Sequence, residues 1–370
     1  MSKMYYKNIF IYSSLQSTGN AEKYFSAHTE ELVVLVLTTR FDPNGNLLRV
    51  YKNGTLSEER SIKFFTRNIF LYYFFWYVNY ITIILRYFTN KEKVIVISWH
   101  PISFFGMYFQ KKLINIDFVF WNGDYFPPVK LSLVLYEKLK KHYNSKVKYA
   151  IYQSDLINEK MNGKVLHTHF RKTLPWGIIP RNIQRAMNPK KFTLLFVGVV
   201  RESQGLEFLF EFLKHHQEYS LKVLGICTNE LYQKYIKIMK RNNIERQVFF
   251  PNRFFSDKEL EKESKTCQIG IAVYDIDRRN ATYYTDPGKV KTYASLGLPI
   301  VMTNVSAIVP NIKKFACGRV IKKEYNELEQ ALLDIKMHYK KYLEGLEKFN
   351  KYFYYETYYK SRFRFLKHND

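Results

Sequence analysis

The sequence predicts two α/β domains in tandem, each a parallel doubly wound sheet with helices on both faces. Three observations predict this. Short apolar runs recur along 370 residues, separated by polar, helix-compatible stretches, the rhythm of repeated strand–helix units. The runs are apolar at consecutive positions, as in strands covered on both faces. The rhythm stops once, over Arg171–Lys191, where Pro175, Gly177, Pro180 and Pro189 replace periodic apolar residues, and then restarts. A chain of this length exceeds one ordinary core and suits two domains. The expected division is 1–175, 176–346, and a tail over 347–370 that packs back on the first domain.

In the first half the expected strands are Asn8–Tyr12, Leu32–Leu37, Val94–Ser98, Ile116–Trp121 and Lys148–Ile151. Ile69–Leu85 carries no charged side chain and is rich in Tyr, Phe and Trp76. It is short for a membrane span and broken by Asn79 and Thr82, so it reads as a core-facing helix before a strand. A helix lying in a membrane interface is the second reading. In the other half the expected strands are Thr193–Val197, Leu221–Leu224, Gln247–Phe250, Ile269–Val273, Pro299–Met302 and Arg319–Ile321. Between them Leu206, Leu209, Phe210 and Leu213 share a helix face, as do Leu231, Tyr235, Ile238 and Met239. In the tail, Tyr352, Tyr355, Tyr359, Phe363 and Leu366 follow helical spacing, and that stripe needs a surface to cover it.

The formal charge of +25 favours anionic partners: nucleotides, nucleic acid or an acidic membrane. The basic residues are dispersed and no nucleic-acid module is recognisable, so nucleic acid ranks last. Cys227, Cys267 and Cys317 form no metal-type pair and no disulfide framework. The first residues show no signal-peptide pattern. A cytoplasmic location, peripheral at the inner face of the cell membrane, is the expectation.

Residues 285–301 carry the strongest chemical signal. Pro287-Gly288 opens a helix with Lys289 and Lys291 in its first turn; Gly297 closes it and Leu298–Val301 begins a strand. A helix N-terminus exposes unpaired N–H groups and partial positive charge, and two lysines there predict a phosphate or diphosphate site. Leu194–Gly198 reads as a strand ending at a glycine, followed by Arg201 and Gly205. This loop falls at the carboxyl edge of the sheet, where open α/β sheets bind ligands. Both segments belong to one edge, so their cations can meet on one diphosphate. Neither the dinucleotide-binding glycine pattern nor the P-loop pattern is present. Asp275-Ile276-Asp277 has the letters of a metal-binding acidic motif but lies beside Arg278 and Arg279, and reads as a solvated loop; no metal and no cofactor is expected.

Two residues of the first half are candidates for chemistry. His100, at a strand end before Pro101, is a sugar anchor, a proton acceptor or a structural histidine. Asp124, in Trp121-Asn122-Gly123-Asp124-Tyr125, is a second candidate base or a turn aspartate. His167 and His169 read as structural, and His215-His216 as solvated.

The second half resembles the nucleotide-sugar-binding domain of GT-B glycosyltransferases of the family 4 type found in surface-polysaccharide synthesis. The matching strings are FVGVVRESQGLEFLFEFL, QVFFPNR and DPGKVKTYASLGLPIVMT, spanning roughly Phe192 to Ile321 in the family's order. In the first half WNGDYFPP, YAIYQSDLINEKMNGK and LPWGI are compatible with it. The resemblance implies two Rossmann-like domains facing a cleft and a terminal helix crossing back to the first. It implies transfer of a sugar from a nucleotide donor to a lipid-linked or polysaccharide acceptor, with an anionic membrane as a further partner. Gly198, Arg201, Gly205, Lys289 and Lys291 would then hold the donor diphosphate, with Asp286 and Thr292 beside them. Asn252 and Arg253 would edge the nucleobase, and His100 would face the transferred sugar. Ser17, Thr18 and Gly19 would belong to the acceptor loop. The chain departs from the family at Val199 and Gln204, where basic residues are usual, and at Tyr284 and Thr292, where glutamates are. A non-catalytic nucleotide-sugar-binding partner of a glycan-assembly complex is therefore the alternative.

Overall fold

The computed structural model describes residues 6–13, 20–37, 46–64, 66, 68–162, 170–183 and 191–366. The chain divides into two compact units, Met1–Gly177 with Tyr355–Asp370, and Ile178–Tyr354.

The first unit is built on eight strands: β1 (Tyr6–Ser13), β2 (Thr29–Val36), β3 (Leu47–Lys52), β4 (Thr55–Ser61), β5 (Val94–Ser98), β6 (Ile116–Asn122), β7 (Tyr149–Tyr152) and β8 (Phe170–Thr173). Their order is β4-β3-β2-β1-β5-β6-β7-β8. All neighbours pair in parallel except the β2–β3 and β3–β4 pairs at one edge. The central strands β1, β2 and β5 are buried along almost their whole length, which is why they read as continuous apolar runs. Strand order reverses between β1 and β5, so the loops after these two strands flank the switch point of this sheet.

Three features of this unit differ from the sequence expectation. The edge hairpin β3–β4 was not expected. It turns on Asn53-Gly54, both with positive φ (51° and 85°), the backbone that a two-residue hairpin turn requires. Strand β8 occupies the start of the stretch read as a linker. It is a polar edge strand whose Arg171 guanidinium donates to the carbonyls of Val147 and Lys148. The tail is not one helix. A helix over Tyr339–Tyr352 ends the second unit, and a separate helix, Tyr355–Arg362, begins the last segment of the first unit. There Tyr359 and Phe363 are fully buried; Phe363 lies 5.7 Å from Trp121 and 4.9 Å from Phe25, ring to ring. The Gly177 N–H donates to the Tyr359 hydroxyl at 2.8 Å.

The second unit carries β9 (Phe192–Val197), β10 (Tyr219–Leu224), β11 (Val248–Phe249), β12 (Ile269–Ala272), β13 (Ile300–Thr303) and β14 (Gly318–Ile321). All pair in parallel, in the order β11-β10-β9-β12-β13-β14. This is the doubly wound Rossmann-like order, with its switch point between β9 and β12. Every strand expected in this half is present. The helix Leu206–His215 turns Leu206, Leu209, Phe210 and Leu213 onto the sheet as its spacing predicts.

Candidate functional site

In the second unit the carboxyl ends of β9 and β12 are drawn together by a glycine. Gly205 has φ +75°, and a Cβ there would lie 2.0 Å from the Val273 carbonyl oxygen, so the loop after β9 can seat against the end of β12 only with glycine. Gly198, the first residue past β9, has φ +94°, and a Cβ on it would meet nothing within 4 Å. Its backbone therefore borders open space at the switch point. Arg201 is exposed and caps the short 3-10 turn Glu202–Gln204.

Lys289 reaches the same place from the helix Gly288–Ser295. Its Nζ stands 3.6 Å from the Phe196 ring centre on β9 and 5.2 Å from the Tyr274 ring beyond β12. It donates to Gln204 Oε1 at 3.2 Å. That partner is a neutral amide, and the two rings flank the ammonium. Burial, and then the nearby Arg201, push the Lys289 ammonium well below the usual lysine range. Lys289 and Arg201 thus converge on a glycine-bordered edge next to a helix whose N-cap, Pro287, makes no side-chain capping bond, and a bound anion would favour the charged form of Lys289. The arrangement can take up an anion with at least two charged oxygens.

Lys291 does different work. It is buried, with Nζ 3.5 Å from Asp286 Oδ2 and 3.3 Å from the Phe353 ring centre. Burial pushes its ammonium down to about 8, while Asp286 holds it up against that effect. Asp286 is itself 2% exposed. Thr292 turns its hydroxyl back to the Gly288 carbonyl, 3.1 Å away. The structure therefore brings Gly198, Arg201, Gly205 and Lys289 to one edge, and places Lys291 and Asp286 in a buried ion pair.

Asn252 and Arg253 follow β11. Asn252, at φ +49°, accepts the Cys227 N–H through Oδ1 at 2.8 Å, which ties the loop after β11 to the loop after β10. Arg253 pairs with Glu259 at 2.7 Å and stacks on Phe255 at 4.0 Å. Asp275 pairs with Lys323, and Asp277 with Arg279. Tyr284 is nearly buried beside Tyr283.

In the first unit His100 follows β5 at that sheet's switch point. It is buried between Trp76, Tyr73 and Tyr136, at ring distances of 5.0, 5.6 and 5.7 Å. Nδ1 accepts the Ile102 N–H at 3.2 Å, capping the turn Pro101–Phe104. Burial, with Lys140 nearby, lowers the ring to about 3. The neutral ring with an accepting Nδ1 carries its proton on Nε2, so that nitrogen is a hydrogen-bond donor. Asp124 sits in the loop after β6, which is pinned from one helix: Lys140 donates to the Asp124 carbonyl and, at 2.9 Å, to Glu137 Oε1. The same Glu137 oxygen accepts the Phe126 N–H. Ser17, Thr18 and Gly19 lie outside the described residues, as do His167 and His169.

The chain as a whole aligns with solved structures. It superposes on a sucrose-phosphate synthase from Thermosynechococcus elongatus with a TM-score of 0.70, over 97% of this chain and 98% of that one, at 12% identity. The chain has the GT-B fold. A lipopolysaccharide outer core galactosyltransferase aligns over 96% of this chain and 98% of its own at TM-score 0.61 and 14% identity. S. aureus TarM, solved in complex with Fondaparinux, alpha-GlcNAc-glycerol and UDP, aligns over 86% of this chain and 63% of its own at TM-score 0.60 and 11% identity. No family model matches the sequence, and no curated protein matches it.

Within this GT-B chain, sequence reasoning missed Phe196, Gln204 and Tyr274 around Lys289, and Glu137 and Lys140 beneath Asp124. Gln204 was noted only for what it replaces. Glu137 and Lys140 stand three residues apart on a helix, a spacing shared by countless solvated pairs. Their burial, 5% and 3% exposed, carries no signal in the letters.

Proposed function

We propose that this protein is a glycosyltransferase that takes its sugar from a nucleoside-diphosphate donor. The observation that carries the reading is the meeting of Lys289 and Arg201 at the glycine-bordered edge between β9 and β12. In the reaction the anomeric carbon–oxygen bond to the diphosphate breaks and a bond to the acceptor hydroxyl forms. The acceptor gives up its proton, and the nucleoside diphosphate leaves with added negative charge. Lys289, Arg201 and the N–H groups opening the helix at Gly288 would stabilise that charge with no need of a metal ion. Asn252, fixed by Cys227, and Arg253 would border the base.

In the first unit we assign His100 to a hydroxyl of the transferred sugar, as an Nε2–H donor; the proton-acceptor role fits poorly with an Nδ1 already engaged and a ring held neutral. Asp124 remains the candidate base. A neighbour in fold acts on lipopolysaccharide core by name and another is bound to UDP. With these, a hexosyl donor and a lipid-linked or polysaccharide acceptor in cell-surface glycan synthesis complete the proposal, at a peripheral site on the inner face of the membrane.

The test is a screen of nucleotide sugars with membrane lipid extract, read as nucleoside diphosphate released. The proposal predicts release with at least one donor, lost in Lys289→Ala. The second reading, a non-catalytic GT-B partner, draws on Tyr284 and Thr292, which present no carboxylate. It predicts donor binding without release in every extract.

A further inference from the structure

The helix Ile69–Phe88 is apolar on both faces. Tyr72, Trp76, Tyr80, Ile84 and Phe88 are buried against the first sheet. The opposite face leaves Phe70 82%, Phe74 64% and Leu85 47% exposed. A helix apolar all round belongs in a core or against lipid, and one that shows half of itself to water is missing a cover. The next helix, Met107–Leu113, continues the surface with Phe109 at 65% and Leu113 at 51% exposed. Together they line an open apolar groove of about 280 Å³, floored by Tyr77, Ile81 and Ile114.

The two helices that line the groove carry charge of one sign. Neither helix contains an acidic residue; Arg86, Lys111 and Lys112 are exposed on them. Over residues 60–116 the sequence has eight Lys and Arg and one acid, Glu92, which pairs with Lys7; of the basic residues Arg60, Lys91 and Lys93 pair with Glu58, Glu31 and Asp117, and Glu58 also accepts the Tyr87 hydroxyl. No helix among the described residues is long and apolar enough to cross a membrane. We infer that this face docks in the interface of an anionic lipid bilayer, with Phe70, Phe74 and Phe109 among the acyl chains and Arg86, Lys111 and Lys112 at the headgroups. A second copy fits less well, because an isologous contact would set like cations against each other. The inference stands apart from the donor reading, since vesicle binding needs no sugar.

The test is co-sedimentation of the full chain with phosphatidylcholine vesicles, with and without phosphatidylglycerol. Binding is expected only to the anionic vesicles and should weaken with salt. Lys111→Gln and Lys112→Gln should each weaken it about fivefold, the equivalent of about 1 kcal/mol per charge near such a surface. Phe74→Ser with Phe109→Ser should abolish it while circular dichroism and thermal midpoint stay near wild type, because both side chains already face water. Absence of binding to either vesicle overturns the inference. So does a concentration-dependent dimer that the same double substitution dissolves, which would assign the face to a second copy.

Discussion

Lys289 and Lys291 stand two positions apart on one helix and have opposite surroundings. Successive residues turn about 100°, so positions two apart point roughly 200° from each other. One lysine reaches the switch point and the other the interior. Pro287-Gly288 and the basic first turn made the candidate anion site legible. Helical periodicity sends the two lysines to different partners, Lys289 to Gln204 and Lys291 to Asp286, so the proposal gives the phosphate to Lys289. Lys291→Met should destabilise the second unit by about 3–5 kcal/mol, because it leaves Asp286 buried without its cation. The pH dependence gives a second readout. Lys291 titrates near 8 when folded and near 10.5 when unfolded, so the unfolded chain binds more protons between those values. Its contribution to unfolding free energy therefore rises with pH across that window, and the rise should be missing in Lys291→Met. His100 behaves likewise at acid pH. Its ring titrates near 3 folded against 6.5 unfolded, so stability should fall as pH drops from 6.5 toward 3. In His100→Asn, which keeps an acceptor for the Ile102 N–H, urea midpoints at pH 7.5 and 5 should lie closer together than in wild type.

At the scale of elements, the strands buried on both faces were the most legible, because nothing but continuous apolar runs can fill them. The edges were not. β4 is exposed at six of its seven positions, so no alternation betrays it, although Asn53-Gly54 is a strong turn signal. β8 was hidden by the prolines just beyond it. The helix Ile69–Phe88 was legible as a helix leading into a strand, but its letters are apolar on every face and cannot say which face is covered. The terminal stripe of aromatics was seen as one element. The chain instead breaks after Phe353, where the Ile178 N–H donates to the Phe353 carbonyl at 2.7 Å, and only Tyr355–Leu366 joins the first unit. Truncation after Tyr354 removes Tyr359 and Phe363 from a buried aromatic cluster. By analogy with large-to-small core substitutions, each loss costs about 3–5 kcal/mol. A calorimetric scan should show the first unit melting earlier, while the transition of the second stays where it is in the full chain.

At the scale of the molecule, the two-unit α/β architecture was readable from rhythm alone, and the strand order of each sheet places a switch point where the candidate residues gather. The candidate site was half legible: the glycines and Lys289 have local signatures, whereas Gln204, Tyr274, Glu137 and Lys140 act through tertiary contacts that leave none. The central claim is that the second unit holds a diphosphate through Lys289 and not through Lys291. Equilibrium titration of a panel of nucleoside diphosphates against wild type, Lys289→Ala and Lys291→Met tests it most directly. The account predicts that at least one diphosphate binds wild type, that Lys289→Ala weakens it by about ten- to a hundredfold with folding intact, the scale of a lost charge-assisted hydrogen bond, and that folded Lys291→Met binds within a few-fold of wild type. Unchanged affinity in folded Lys289→Ala would contradict it.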